Sequence, residues 1–202
     1  GCKRLLISNE YYPALARTNV EVVTEGIREV VPNGVVTKDG QLHEVDAIIY
    51  GTGFKVQDPI PKGTVFGRGG ADLAEVWKQG AEAHMGITVA GFPNFFMLMG
   101  PNTGLGHNSM VFMIESQAHY ILAALQAMKE QRIRALDVKP EVQKQFVDGV
   151  QKELERTVWQ SGCKSWYINE QGRNTAAWPG FTFAYRLKTR RFKIKQYRAE
   201  RA

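Results

Sequence analysis

Apolar positions along the chain fall into two regimes. Through the first half they come as short runs broken by turn residues. Arg4 to Ile7 and Val20 to Val23 predict strands, and Gly34 to Thr37 with Gln41 to Val45 flank Lys38-Asp39-Gly40, where the Asp-Gly pair predicts a hairpin turn. The run Val45 to Tyr50 stops at Gly51-Thr52-Gly53-Phe54, the pattern of a buried parallel strand whose C-terminal end opens onto a ligand crevice. Asn94 to Met99 behaves the same way and breaks into Gly100-Pro101-Asn102-Thr103-Gly104-Leu105-Gly106-His107-Asn108. Helical spacing then takes over. Ile114, Ala118, Ile121, Leu125 and Met128 predict a helix from about Ser109 to Gln131, capped by Asn108 or Ser109. Pro140 opens a second amphipathic helix through Val142, Phe146, Val150, Leu154 and Val158. Phe181, Phe183 and Tyr185 alternate in strand fashion.

The 202 residues suffice for one large or two small domains with a real core. No apolar run approaches the roughly 20 residues of a membrane-spanning helix, and GCKRLLIS lacks a signal-peptide layout, so a soluble, cytoplasmic protein without a membrane partner is expected. The net charge of +6 is unevenly placed. Eight Lys and Arg residues lie between Arg186 and Ala202 against Glu200 alone, leaving 18 bases and 19 acids in the first 185 residues. Such a tail can attract a polyanion, but a solvated terminal segment carries the same pattern, and no nucleic-acid partner is expected. Cys2 and Cys163 stand alone, without metal-ligand spacing, so neither a disulfide framework nor a metal site follows.

The segment Met97 to Met110 is the richest in candidate chemistry. Its glycines let a ligand approach the main chain, and a helix N-terminus offers unpaired N–H groups with partial positive charge to an anionic or electron-rich group. No G-x-G-x-x-G fingerprint, G-x-S-x-G elbow or phosphate-binding P-loop is present in the chain. Of the four histidines, only His107 is placed by sequence to touch a ligand.

Taken in order and spacing, Cys2-Lys3-Arg4, Tyr11-Tyr12, Arg17-Thr18-Asn19-Val20, Asp46 to Phe54, Gly91-Phe92-Pro93-Asn94, Gly100-Pro101-Asn102 and Ser165-Trp166-Tyr167 resemble the C-terminal part of flavin-dependent Baeyer–Villiger monooxygenases. These are the cyclohexanone, phenylacetone and 4-hydroxyacetophenone types of the flavin-containing monooxygenase class. The resemblance implies an α/β fold, the C-terminal part of a flavoprotein with two Rossmann-like dinucleotide-binding domains. Residues 1–53 would close the NADP-binding domain, and residues 54–202 would form the C-terminal part of the FAD-binding domain with its basic tail. It further implies a piece of an enzyme two to three times longer. The isolated piece would be inactive, and it would associate with itself or with the remainder of its own chain.

The activity implied is insertion of oxygen into a ketone to give an ester or lactone, using FAD, NADPH and O2. The same resemblance implies a role for each matching residue. Arg4 matches the arginine that stabilises negative charge beside the flavin, Lys3 a contact to the NADP 2′-phosphate, and Trp166 a tryptophan whose indole meets NADP. Thr52, Gly53 and Phe54 match the return to the FAD domain. Gly100, Pro101, Asn102, Asn108, Ser109 and Met110 match the cofactor-lining loop, and Leu105, Gly106 and His107 the substrate pocket. Beyond Trp166, Gly172-Arg173-Asn174 and Trp178-Pro179-Gly180-Phe181 depart from the cyclohexanone type, which leaves the ketone open. Oxygenation at sulfur or nitrogen is the nearest alternative, and a polyanion-binding module using the basic tail is one from another class.

Overall fold

The structure is a computed structural model that describes residues 6–53, 60–106, 108–162 and 165–201. The chain divides into two compact units, Leu5–Phe54 and the remainder.

The smaller unit carries a short helix α1 (Tyr11–Leu15) and an antiparallel meander of β1 (Ile27–Val31), β2 (Gly34–Thr37) and β3 (Leu42–Glu44). The predicted hairpin is present. Gly40 takes φ +92°, which a side chain would resist, and the Asp39 carboxylate accepts from the Thr37 hydroxyl and the Gln41 N–H. The Thr37 hydroxyl holds that carboxyl below its usual range. Gly34 is required because a Cβ there would sit 2.2 Å from the His43 carbonyl oxygen.

Val20 to Val23, predicted as a strand, has no strand pairing; of the first predicted strand, Arg4 and Leu5 lie outside the described residues, and Leu6 and Ile7 are exposed. Val45 to Tyr50 is likewise not a buried parallel strand, since Ile49 is 96% and Tyr50 74% exposed. A parallel strand needs a ladder of hydrogen-bonded neighbours, and among the described residues this run has only the Val45 N–H donating to the Asn33 carbonyl and no strand partner. The unit therefore displays apolar side chains that a folded domain would bury, Ile27 and Val30 among them.

The larger unit is built on two long helices and a two-stranded sheet. Short helix α2 (Leu73–Val76), capped by the Asp72 carboxylate on the Ala74 N–H, precedes α3 (Met110–Glu130), β4 (Ile133–Val138), α4 (Pro140–Leu154), α5 (Thr182–Thr189) and β5 (Tyr197–Arg201). Pro140 occupies the first turn of α4, where its missing N–H costs nothing, and Val147, Val150 and Leu154 form the buried stripe. Helix α3 is present as expected, but its buried stripe is Met113, Gln117, Tyr120 and Ala124, rotated by one residue from the apolar reading. Gln117 and Tyr120 can be buried because each has a polar partner. The Gln117 Oε1 accepts from the Met99 N–H at 2.9 Å, and the Tyr120 hydroxyl meets that of Tyr197 at 3.1 Å.

Three apolar clusters fill this unit. Ile87, Tyr120, Leu136, Val138 and Tyr197 join α3 to the sheet. Leu105, Met113, Leu154, Trp178 and Tyr185 join α3, α4 and α5. Leu73, Trp77, Val89 and Phe92 lie around α2.

Phe181 to Tyr185 is helical rather than a strand. Thr182, Tyr185 and Thr189 are buried at helical spacing, while Phe181 and Phe183 stack on each other at the surface. A three-residue alternation of aromatics fits either period, and the Tyr185 hydroxyl decides it by donating to the buried Met85 carbonyl at 2.6 Å. The basic tail is also corrected. Its last residues are not a solvated appendage, because β5 pairs antiparallel with β4 from Val138↔Tyr197 to Ile133↔Arg201. Arg68 bridges the buried Asp137 carboxylate at 2.8 Å and Glu200, and the Asp137 carboxylate also accepts from the Gly91 N–H. No helix among the described residues is long and apolar enough to cross a membrane.

Candidate functional site

The second apolar run, Asn94 to Met99, is only partly strand-like. The Met97 N–H donates to the Ile87 carbonyl, and Phe96 makes a single bridge to Thr88. Asn94 takes φ +60° and ties the run to β4, donating to the Arg134 carbonyl and accepting from the Leu136 N–H. Held in this way, the following glycine loop runs beside residues 174–178. The Asn102 N–H donates to the Thr175 carbonyl, the Gly104 N–H to the Ala176 carbonyl and the Trp178 N–H to the Gly104 carbonyl, each at 2.8 Å.

Between these segments lies a cavity of about 440 Å³. Met97, Leu98, Met99, Gly100, Pro101 and Gly104 form one wall. Trp166, Thr175 and Ala176 form the second, and Ile60, Trp77, Ala81 and Phe95 complete it. Trp166 is half-exposed and stacks on the buried Tyr167, with ring centroids 4.0 Å apart and planes at 28°. None of these lining residues is titratable. Apart from the Thr175 hydroxyl, what these residues offer is shape, dispersion and backbone polar groups to a flat apolar molecule.

The glycines of the loop have different causes. A Cβ on Gly100 would lie 2.3 Å from the Gly86 carbonyl oxygen, and one on Gly104 would lie 2.8 Å from that of Ala176. Close packing of the chain on itself therefore explains both. Gly106 is exposed, and a Cβ there would meet only Trp159, at an ordinary 3.5 Å. Its open face is free for a ligand to approach. Just beyond, Ser109 stands at the N-terminus of the 21-residue α3 without a side-chain cap on the helix, which leaves first-turn N–H groups available to an acceptor.

Gly100, Pro101 and Trp166 thus meet in one cavity, while Asn108, Ser109 and Met110 sit at the start of α3. Asn102 is a brace: its amide donates to the Asn174 and Ala177 carbonyls from a left-handed backbone, φ +57°. Asn108 donates to the Thr182 hydroxyl, tying the loop to α5. Leu105 is 3% exposed, packed among Met113, Trp178 and Tyr185. Thr52 and Gly53 are exposed in the Leu5–Phe54 unit. Lys3, Arg4, Phe54 and His107 lie outside the described residues.

Sequence reasoning missed Ile60, Trp77, Ala81, Phe95, Thr175 and Ala176 as lining residues. Only the last two carried a signal, by following the Gly172-Arg173-Asn174 departure; the buried Asn174 turns that segment by accepting the Ala176 and Ala177 N–H groups.

No protein-family profile matches the chain. It is 56% identical over 199 residues to a Baeyer-Villiger monooxygenase of Pseudomonas aeruginosa, covering 98% of the chain and 38% of that relative. It is 48% identical over 203 residues to a Baeyer-Villiger monooxygenase of Streptomyces coelicolor, covering 100% of the chain and 39% of the relative. Among solved structures, cyclohexanone monooxygenase from Rhodococcus sp. Phi1 bound to NADP+ superposes with a TM-score of 0.87 at 29% identity, over 100% of the chain and 39% of that protein. OTEMO in complex with FAD and NADP superposes at 0.86 with 26% identity, over 98% and 38%. The chain spans about two fifths of the length of the relatives it matches.

Proposed function

The chain belongs to the Baeyer–Villiger monooxygenase family, and from that premise we propose that the protein it forms part of inserts oxygen into ketones with FAD, NADPH and O2, giving esters or lactones. The observation that carries this reading is the neutral apolar cavity beside the Gly100 to Met110 loop, in a segment that continues to the uncapped N-terminus of α3.

The residues present fit a flavin. Gly106 leaves an open face where a side chain would intrude, the walls at Met99, Pro101 and Trp166 are apolar, and the start of α3 supplies N–H donors for a ring that gains negative charge on reduction. When bound, FAD reduced by NADPH supplies the activation of oxygen. The chain's own residues position and shield. Trp166, braced by Tyr167, offers a flat face at the cavity rim, and Met97 and Phe95 exclude water from the reacting group. Gly106 and His107 border the ketone, Lys3 holds the NADP 2′-phosphate, and Arg4 stabilises the negative charge that develops during oxygen transfer. Residues 1–53 belong to the NADP-binding domain, residues 54–202 to the FAD-binding domain, and Thr52 to Phe54 mark the crossing, a reading supported by the boundary between the two compact units at Phe54. The exposed apolar surface of the smaller unit is covered by the remainder of the protein.

The test uses the full-length protein with NADPH, O2, a panel of ketones and a thioether. Ester or lactone should form in step with NADPH consumption. In Arg4→Ala, flavin reduction should persist while ester formation falls by about 100-fold or more. NADPH oxidation without ester from any ketone would refute the ketone reading, and sulfoxide as the only product would assign heteroatom oxygenation instead.

A further inference from the structure

A second cavity, of about 320 Å³, lies between α4, the turn that precedes β5 and the His84-Met85 segment, and it shares no lining residue with the first. At its base His84 is 2% exposed, its ring set edge-on to Phe146 at 5.5 Å, and neither ring nitrogen has a hydrogen-bond partner. The Gln196 Oε1 on the same wall is also unpartnered. Burial pushes the imidazole down to about 4, an effect the neighbouring Gln196 carboxamide only partly offsets, so the ring is neutral and offers one donor and one acceptor. Buried polar atoms are usually paired, and these three belong to two neighbouring residues that both line this cavity.

Gly149 is the independent observation. It lies in the interior of α4, where glycine is the poorest residue after proline, and it lines this cavity; a Cβ there would meet nothing within 4 Å. No contact among the described residues calls for glycine at that exposed position, and its missing side chain leaves the mouth of the cavity open. Phe146 and Trp178, stacked with planes at 10°, give the cavity an aromatic wall, and Lys188 and Lys193 against Glu153 make its rim net cationic.

We propose that this cavity is a second binding site, for a small molecule with an apolar body and a neutral head that both donates and accepts a hydrogen bond, a hydroxyl or a primary carboxamide. The head meets His84 and Gln196, and the body lies against Phe146 and Trp178. The cationic rim disfavours a ligand with a positively charged far end. This site stands independently of the proposed oxygenation.

The experiment titrates the full-length protein with benzamide, benzyl alcohol and toluene, which share a ring but differ in the head, while the ring nitrogens of 15N-labelled histidine are followed by NMR. Benzamide and benzyl alcohol should shift the His84 nitrogens and bind at least about tenfold more tightly than toluene. His84→Phe should erase that preference, Gly149→Leu should abolish binding of all three, and Trp166→Ala should change neither. Toluene binding as tightly as benzamide, a preference that survives His84→Phe, or no response of the His84 nitrogens at millimolar ligand would each overturn the assignment. If His84→Phe does not fold, Gly149→Leu decides alone, because benzamide binding retained in that variant also overturns it.

Discussion

Replacing Gly100 with alanine tests whether the loop glycines serve the fold or the ligand. The added Cβ would lie 2.3 Å from the Gly86 carbonyl oxygen and 3.0 Å from its carbon, where ordinary contact needs about 3.5 Å. Something must move by about 1 Å, and neither side can do so freely. Gly86 is itself held at φ +64° against Thr103, whose hydroxyl donates to the Gly100 carbonyl at 2.6 Å, and the adjoining run is fixed by the bond from Met97 to Ile87. Overpacking of this kind costs about 1–3 kcal/mol. Gly106→Ala is the matched control: its Cβ meets only Trp159 at 3.5 Å, so stability should stay within about 0.5 kcal/mol. Thermal and urea unfolding of the two variants in the full-length protein measures both values. If Gly100→Ala is as stable as Gly106→Ala, the packing explanation for Gly100 is wrong and its place in the loop belongs to the ligand.

Two further outcomes are expected. Arg68→Ala leaves the Asp137 carboxylate, 3% exposed, with the Gly91 N–H as its remaining partner; the variant should unfold at a lower midpoint, and equal unfolding midpoints would refute the role of this ion pair. His84 should give the fold an acid sensitivity. Its folded value is depressed from 6.5 to about 4, so the unfolded chain binds the extra proton first, and stability falls as pH drops from about 6.5 towards 4, by up to about 3 kcal/mol. His84→Phe should flatten that window, and an unchanged pH profile would show that the ring is not the cause.

Local signals made part of this fold legible. The Asp39-Gly40 turn, Pro140 at a helix start and the apolar period of α3 each state their geometry within a few residues, and all three elements are present. Expectations that needed a neighbour fared worse. Val45 to Tyr50 reads as a central strand by composition alone, yet pairing is a property of two segments, and no described strand supplies the second. Phe181 to Tyr185 is too short to separate a period of two from one of 3.6, and the contact that settles it comes from Met85, 100 residues away. The rotation of the α3 stripe was hidden because Gln117 and Tyr120 count as polar until Met99 and Tyr197 are brought to them. For the site, motifs located the Gly100 loop and Trp166, but Trp77, Phe95 and Thr175 reach the cavity only through tertiary packing.

The pairing of β5 with β4 carries a consequence for biosynthesis. Tyr197 closes on Thr88 and Tyr120, and Glu200 on Arg68, so groups made early in translation wait for ones made between 77 and 132 residues later. Until Tyr197 to Arg201 has cleared the ribosome, Asp137 and the apolar face of β4 lack their cover, and the emerging polypeptide is a natural client for chaperones. A translation product that stops just before Tyr197 should therefore be degraded far faster than one that includes β5.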